Sequence, residues 1–242
     1  MLIAAAVCPH PPLLIPEAAG TPGPGGTELA HLRAACQQAL SALRAERPDL
    51  IAVVGADPRA RRTAEYPPQA PGALDHFGVP FTTGQAEPGT PFLPLSLTVG
   101  KWLLSRAASG HPAPPAVWWG IAPGSPPAEC RRLGENLAAL APRVALLAMG
   151  DGPGRRAGAA PDAADPEADR YDDQVAGALA AADSAALATL DPGQDGPLVI
   201  AGRAAWQVLA GAAGQDAFAA ELRYRGAPFE VSYFVATWHR AH

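Results

Sequence analysis

The chain has 242 residues, 48% of them hydrophobic and 17% charged, with a formal net charge of −5. That length fits one α/β domain with an ordinary core, and the apolar content excludes a disordered chain. The acidic balance, with Lys101 the only lysine and the arginines never more than two in a row, excludes a phosphate-backbone surface, so nucleic acid is not an expected partner.

Residues 2–8 form a continuous apolar run that stops at Pro9, as a buried strand would. Thr27 is a plausible N-cap, followed by Leu29, Leu32, Cys36, Leu40 and Leu43 at helical spacing, which predicts a helix over 27–46. LIAVVGAD at 50–57 gives a second strand, and strand, helix, strand favours a parallel pair. Residues 59–92 are rich in Pro and Gly without a clear period and read as a long surface excursion with one or two short strands.

Beyond the excursion, 94–108 reads as a helix and AVWWGIA at 116–122 as a strand. Ser125 with Pro126 at the first turn opens a helix through Leu140, and VALLAM at 144–149 is another buried strand. Residues 150–168 make a low-complexity loop, followed by alanine-rich helices at 167–190 and 202–213 around a strand-like LVIAG. AELRYRG and the alternating FEVSYFVATW close the chain as strands. The expected fold is a single α/β domain over 1–242, with a central mixed, mostly parallel sheet, helices on both faces and an antiparallel hairpin at the C-terminus.

Cys8, Cys36 and Cys130 share no close spacing, which speaks against a disulfide framework or a cysteine zinc site and for a reducing, cytoplasmic setting. The N-terminal LIAAAV lacks a basic flank and is too short for a signal core, and no stretch approaches the roughly eighteen apolar residues of a span, so no membrane partner is expected. Trp238 and Tyr66 are candidate surface aromatics for a homo-oligomer.

Ligands of open α/β sheets gather beyond the carboxyl ends of the strands, which singles out His10, Asp57 in GADP and Asp151 in GDGPGRR. His10, stiffened by Pro9, Pro11 and Pro12, is either a metal ligand or a loop histidine bonded to backbone. Asp57 is either a carboxylate ligand or a turn-stabilising Asp before Pro. GDGPGRR is either a nest of backbone N–H groups that, with Asp151, Arg155 and Arg156, holds a small anion, or a solvated turn. Glu230 is a third metal ligand or the outward residue of an alternating strand, and His76 in the long excursion is placed to fold over the strand ends.

AVCPHPPLLIPE, LPLSLTVGKWLL, LLAMGDGPGRR and AGRAAWQVLAGAAG followed by PFEVSYFVATW together resemble the class III extradiol ring-cleavage dioxygenase (LigB-like) superfamily, in particular its alanine-rich actinobacterial branch. The resemblance implies an α/β fold with a strand-end site where two histidines and a glutamate hold non-haem Fe(II) and another histidine moves protons during ring opening of an aromatic diol. Carried over, the first iron histidine is His10, the second falls on Asp57, the glutamate is best matched by Glu230, and the catalytic histidine falls near Gly154, where the chain has no imidazole. The resemblance therefore implies a degenerate set of His10, Asp57 and Glu230 around Fe(II) or another divalent metal in an oxidoreductase. The alternative is a non-catalytic protein that binds a small anion or a partner on the same fold.

Overall fold

A computed structural model describes residues 1–20, 26–85, 87–107, 112–122, 124–154, 166–196 and 198–241. The strands are β1 (Leu2–Cys8), β2 (Leu50–Ala56), β3 (Ala64–Tyr66), β4 (Gly72–Ala73), β5 (Thr82–Thr83), β6 (Ala116–Ile121), β7 (Val144–Met149), β8 (Phe218–Gly226) and β9 (Tyr233–Arg240). The helices are α1 (Pro16–Ala19), α2 (Gly26–Ala45), α3 (Leu95–Arg106), α4 (Pro127–Ala138), α5 (Pro166–Ala181), α6 (Ser184–Ala188) and α7 (Arg203–Ala213).

Seven strands form one sheet in the order β3-β6-β2-β7-β1-β9-β8, and β4 pairs with β5 apart from it. The inner strands β6, β2, β7 and β1 run parallel, while β3 and the β8–β9 hairpin add antiparallel edges. The expected mixed, mostly parallel sheet is therefore the one that forms.

The parallel strands are apolar throughout because both faces are covered. Val7, Val54, Leu146 and Ala148 face a core completed by α4, α5, α6 and α7. Cys8, Val53, Leu147 and Met149 face the opposite core, completed by α2 and α3. Helices α4 and α7 approach to backbone contact: a Cβ on Gly134 would lie 2.1 Å from the Val208 carbonyl oxygen, and one on Gly211 would lie 2.2 Å from that of Arg131. Among the described residues no helix is long and apolar enough to cross a membrane.

Four local expectations are corrected. The helix expected over 167–190 breaks into α5 and α6, because Ala182 adopts φ +51° and Asp183 caps the new start by accepting from Ala186 N at 2.9 Å. LVIAG is not a strand: Val199 takes a left-handed φ of +53°, and the segment is irregular. Ser125 does not cap α4; its hydroxyl donates to the Ala122 carbonyl at 2.9 Å. Trp238 is buried, its Nε1 donating to Leu179 O at 2.8 Å, so it is no surface for a second copy.

Candidate functional site at the strand ends

The carboxyl ends of β6, β2, β7 and β1 share one edge of the sheet, and the loops beyond them carry the residues the sequence singles out. From Pro9 to Pro12, His10 is the only residue with a backbone N–H. That N–H donates to Asp151 Oδ1 at 2.7 Å, joining the ends of β1 and β7. The imidazole Nδ1 lies 3.4 Å from the same oxygen but makes no hydrogen bond, and it is buried. His10 is 7% exposed. Burial pushes the Asp151 carboxyl above its ordinary range, and the adjacent His10 opposes that shift. Burial likewise raises the Tyr233 phenol, with the Asp151 charge adding to it.

The GDGPG loop is fixed by backbone rungs instead of presenting a nest. Gly150 N donates to Cys8 O at 2.9 Å, Gly152 N to Ser232 O at 2.8 Å and Gly154 N to Leu198 O at 2.9 Å. Its glycines serve close packing: a Cβ on Gly150 would sit 2.6 Å from Gly202 Cα, and one on Gly152 would sit 2.8 Å from the Phe234 ring. The anion nest expected at Asp151 is thereby corrected, because those three amides already have acceptors and a buried carboxylate stands among them. Arg155 and Arg156 lie outside the described residues.

Asp57, 3% exposed, bonds to Tyr66 and Arg59. Its Oδ2 accepts from the Tyr66 hydroxyl at 2.5 Å, and its Oδ1 accepts from Arg59 N at 3.1 Å, the turn-stabilising bond of an Asp before Pro. A Cβ on Gly120 would lie 3.1 Å from Asp57 Cβ and 2.8 Å from the Tyr66 ring, so the pair rests over β6. His10 stands on the opposite side of β2, beyond β7. Burial, and then the hydrogen bond to Asp57, push the Tyr66 phenol up to about 12.

Glu230 is exposed, with φ +60°, in the turn Pro228–Glu230 that precedes β9. It is neither part of an alternating strand nor joined to His10. Among the described residues no three His, Cys, Asp or Glu side chains stand together as a metal-ligand group. The expected set of His10, Asp57 and Glu230 is therefore not assembled, because Asp57 is turned to Tyr66 and Glu230 to solvent. These residues do not fit a three-ligand Fe(II) centre. His76 lines a separate hollow of about 230 Å³ with Arg59, Asp75 and Phe92.

Sequence reasoning missed two groups at this edge. One is the role of Tyr66, whose signal was an isolated aromatic just before the prolines of the excursion. The other is Arg203, 1% exposed at the start of α7. Its Nε donates to Asp195 Oδ2 at 2.7 Å, and its Nη1 donates to Gln207 Oε1 at 2.6 Å and to Ser125 O at 3.2 Å. Burial raises the Asp195 carboxyl while Arg203 opposes it. The available signal was an Arg and a Gln at i, i+4 in a helix whose other residues are apolar on every side.

Arg203 and Asp195 line a cleft of about 280 Å³ whose other walls are largely apolar, including Pro58, Ile121, Ile200 and Ala204. It opens beyond the ends of β2 and β6. Its Ala201 wall joins the His10 neighbourhood, since Ala201 N donates to Asp151 O at 3.3 Å.

No family model matches this chain, and no curated protein matches it. Among solved structures it is similar to the uncharacterized protein JW3007 from Escherichia coli K12, with 15% identity and a TM-score of 0.51, covering 97% of this chain and 99% of that one. At that identity the likeness shows one thing, a common α/β fold along nearly the whole chain.

Proposed function

We propose that this chain is a LigB-like protein that binds a small, largely apolar molecule in the strand-end cleft without a three-ligand iron centre. The motif resemblance supports the family. The orientation of Asp57, held over Gly120 by Tyr66, carries the rest. With no assembled ligand set among the described residues, the positions that would open for a diol and dioxygen on one metal have no support.

A cleft of about 280 Å³ with apolar walls and a few polar groups suits one aromatic ring. Arg203 and Asp195 supply the polar end. The Ala201 wall of the cleft is tied to Asp151, which in turn holds the His10 N–H.

The reading is tested by anaerobic Fe(II) reconstitution, desalting, metal analysis and oxygen uptake with catechol, alongside calorimetric titration of catechol and benzoate into metal-free protein. The expected result is substoichiometric iron, no oxygen uptake, and saturable binding of an aromatic probe that is lost in Ala204→Phe, which fills the cleft. Stoichiometric Fe(II) with His10-dependent oxygen uptake would reinstate a ring-cleaving oxidoreductase. Failure of both probes to bind would remove the binding assignment.

A further inference from the structure

We propose that the outer edge of β8 pairs antiparallel with β8 of a second copy of this chain, joining the two sheets across a twofold axis at Ala220. This interface lies apart from the strand-end cleft and does not depend on the function proposed for it.

β8 ends the sheet order, and among the described residues no strand lies beyond it. Its register with β9 decides which backbone groups are spare. Ala241 N donates to Ala217 O at 3.0 Å. Antiparallel bonding alternates along the strand, so Ala219 with His239 and Glu221 with Thr237 continue that set. The N–H and C=O of Phe218, Ala220 and Leu222 therefore point away from β9. Pairing is regular over this stretch, and the irregularity in the strand comes only after Leu222. No proline or lysine guards residues 218–222, and an edge of that kind is a ready template for another strand.

The strand suits its own copy. In an antiparallel pair centred on Ala220, Phe218 exchanges both backbone bonds with Leu222 of the second copy, and Ala220 does so with its counterpart. Phe218, Ala220 and Leu222 are partly buried and pack on the same core as α5. Pairing sets Phe218 against Leu222 on that face, with small alanines on the axis, so an apolar row runs from one core to the next. Charge selects the direction. Asp216 precedes the strand, and Arg223 and Arg225 stand in its last turns of the ladder. Antiparallel pairing lays the basic end of each strand beside the acidic start of the other. Glu221, near the axis, is already offset by Arg223 of its own chain at 2.6 Å.

The test is sedimentation velocity of the full chain from about 1 µM to 1 mM, where one short strand pair should give a weak, micromolar dimer. Added salt should weaken it severalfold, because the end-to-end charge pairs are exposed. Ala220→Pro removes the outward N–H at the axis and no bond within the chain, a place where edge strands accept proline. It should weaken the dimer at least about tenfold, with thermal unfolding confirming that the variant folds. Amide exchange in the natural chain gives a second reading, which decides alone where the variant does not fold. The amides of Phe218, Ala220 and Leu222 should slow as concentration rises, while those of Ala219 and Glu221 should not change. A monomer at every concentration, a dimer unaffected by Ala220→Pro, or outward amides whose exchange ignores concentration would each overturn the proposal.

Discussion

Replacing Arg203 by Met tests whether the buried guanidinium organises the cleft wall. Methionine is unbranched and flexible, so it fills most of the vacated volume without leaving a cavity. What is lost is three partners: Asp195 Oδ2, Gln207 Oε1 and the Ser125 carbonyl. Breaking a buried ion pair by removing one partner costs about 3–5 kcal/mol. The Asp195 side chain is 24% exposed and can rehydrate, and Gln207 Nε2 keeps its bonds to Ala188 O and Leu190 O, so the lower end applies, about 3 kcal/mol. For a chain of this size that corresponds to a fall in Tm of roughly 6–12 °C. Urea unfolding and calorimetry of Arg203→Met, Asp195→Asn and the double variant measure it. The double variant should be less destabilised than the sum of the singles, because each single leaves a charge without its partner. A loss below about 1 kcal/mol in Arg203→Met, or strict additivity, would refute the organising role.

Asp151→Asn should change the pH dependence of stability. Burial raises the Asp151 carboxyl above its ordinary 3.8, so its contribution is fully present below that value and is lost as pH rises through the raised folded value. The stability of the Asn variant relative to the natural chain should therefore grow with pH above 3.8, and a difference in urea unfolding that shrinks instead contradicts the burial. Gly211→Ala would place a Cβ 2.2 Å from the Arg131 carbonyl oxygen, forcing α4 and α7 apart at a cost of about 1–3 kcal/mol despite the better helix propensity of Ala; a gain in stability would show that the helices are not in backbone contact. Tyr66→Phe removes the donor at 2.5 Å from buried Asp57 and should cost about 1–3 kcal/mol by denaturant unfolding, whereas a neutral result would mean that Asp57 is satisfied by Arg59 alone.

The fold was legible because its signals are local and strong. β1, β2 and β7 are apolar runs buried on both faces, and α2 carries leucines at one period; both patterns survive any detail of packing. The failures fall where backbone geometry beats residue type. LVIAG has strand propensity, yet Val199 is left-handed beside the turn at Pro192–Gln194. Glu230 fits an alternating pattern, yet it lies in a turn, and β9 begins only at Tyr233. At the strand ends, sequence identified His10, Asp57 and Asp151 as the residues to inspect but not how they pair. That pairing depends on which way Asp57 turns, and glycine at position 120 decides it from a strand more than sixty residues away.

The pairing also explains the shape of the strand-end edge. The carboxylates there are bonded to neighbouring elements: Asp151 accepts from the His10 N–H and joins β1 to β7, Asp57 and Tyr66 cover β6, and Asp195 ties the preceding turn to Arg203 of α7. A carboxylate committed in this way is a poor metal ligand, because freeing it would leave a buried hydroxyl or guanidinium unpaired at about 1–3 kcal/mol or more. The same commitments leave the space between them apolar, since Pro58, Ile121 and Ile200 fill the positions between the pairs. On the function proposed above, this edge offers a walled cleft, and affinity there would rest on apolar burial, at about 25 cal/mol for each Å² removed from water. An aromatic ring gains more from such a wall than a charged metabolite of equal size, because the charged molecule would lose hydration that the already paired Arg203 and Asp195 cannot fully replace.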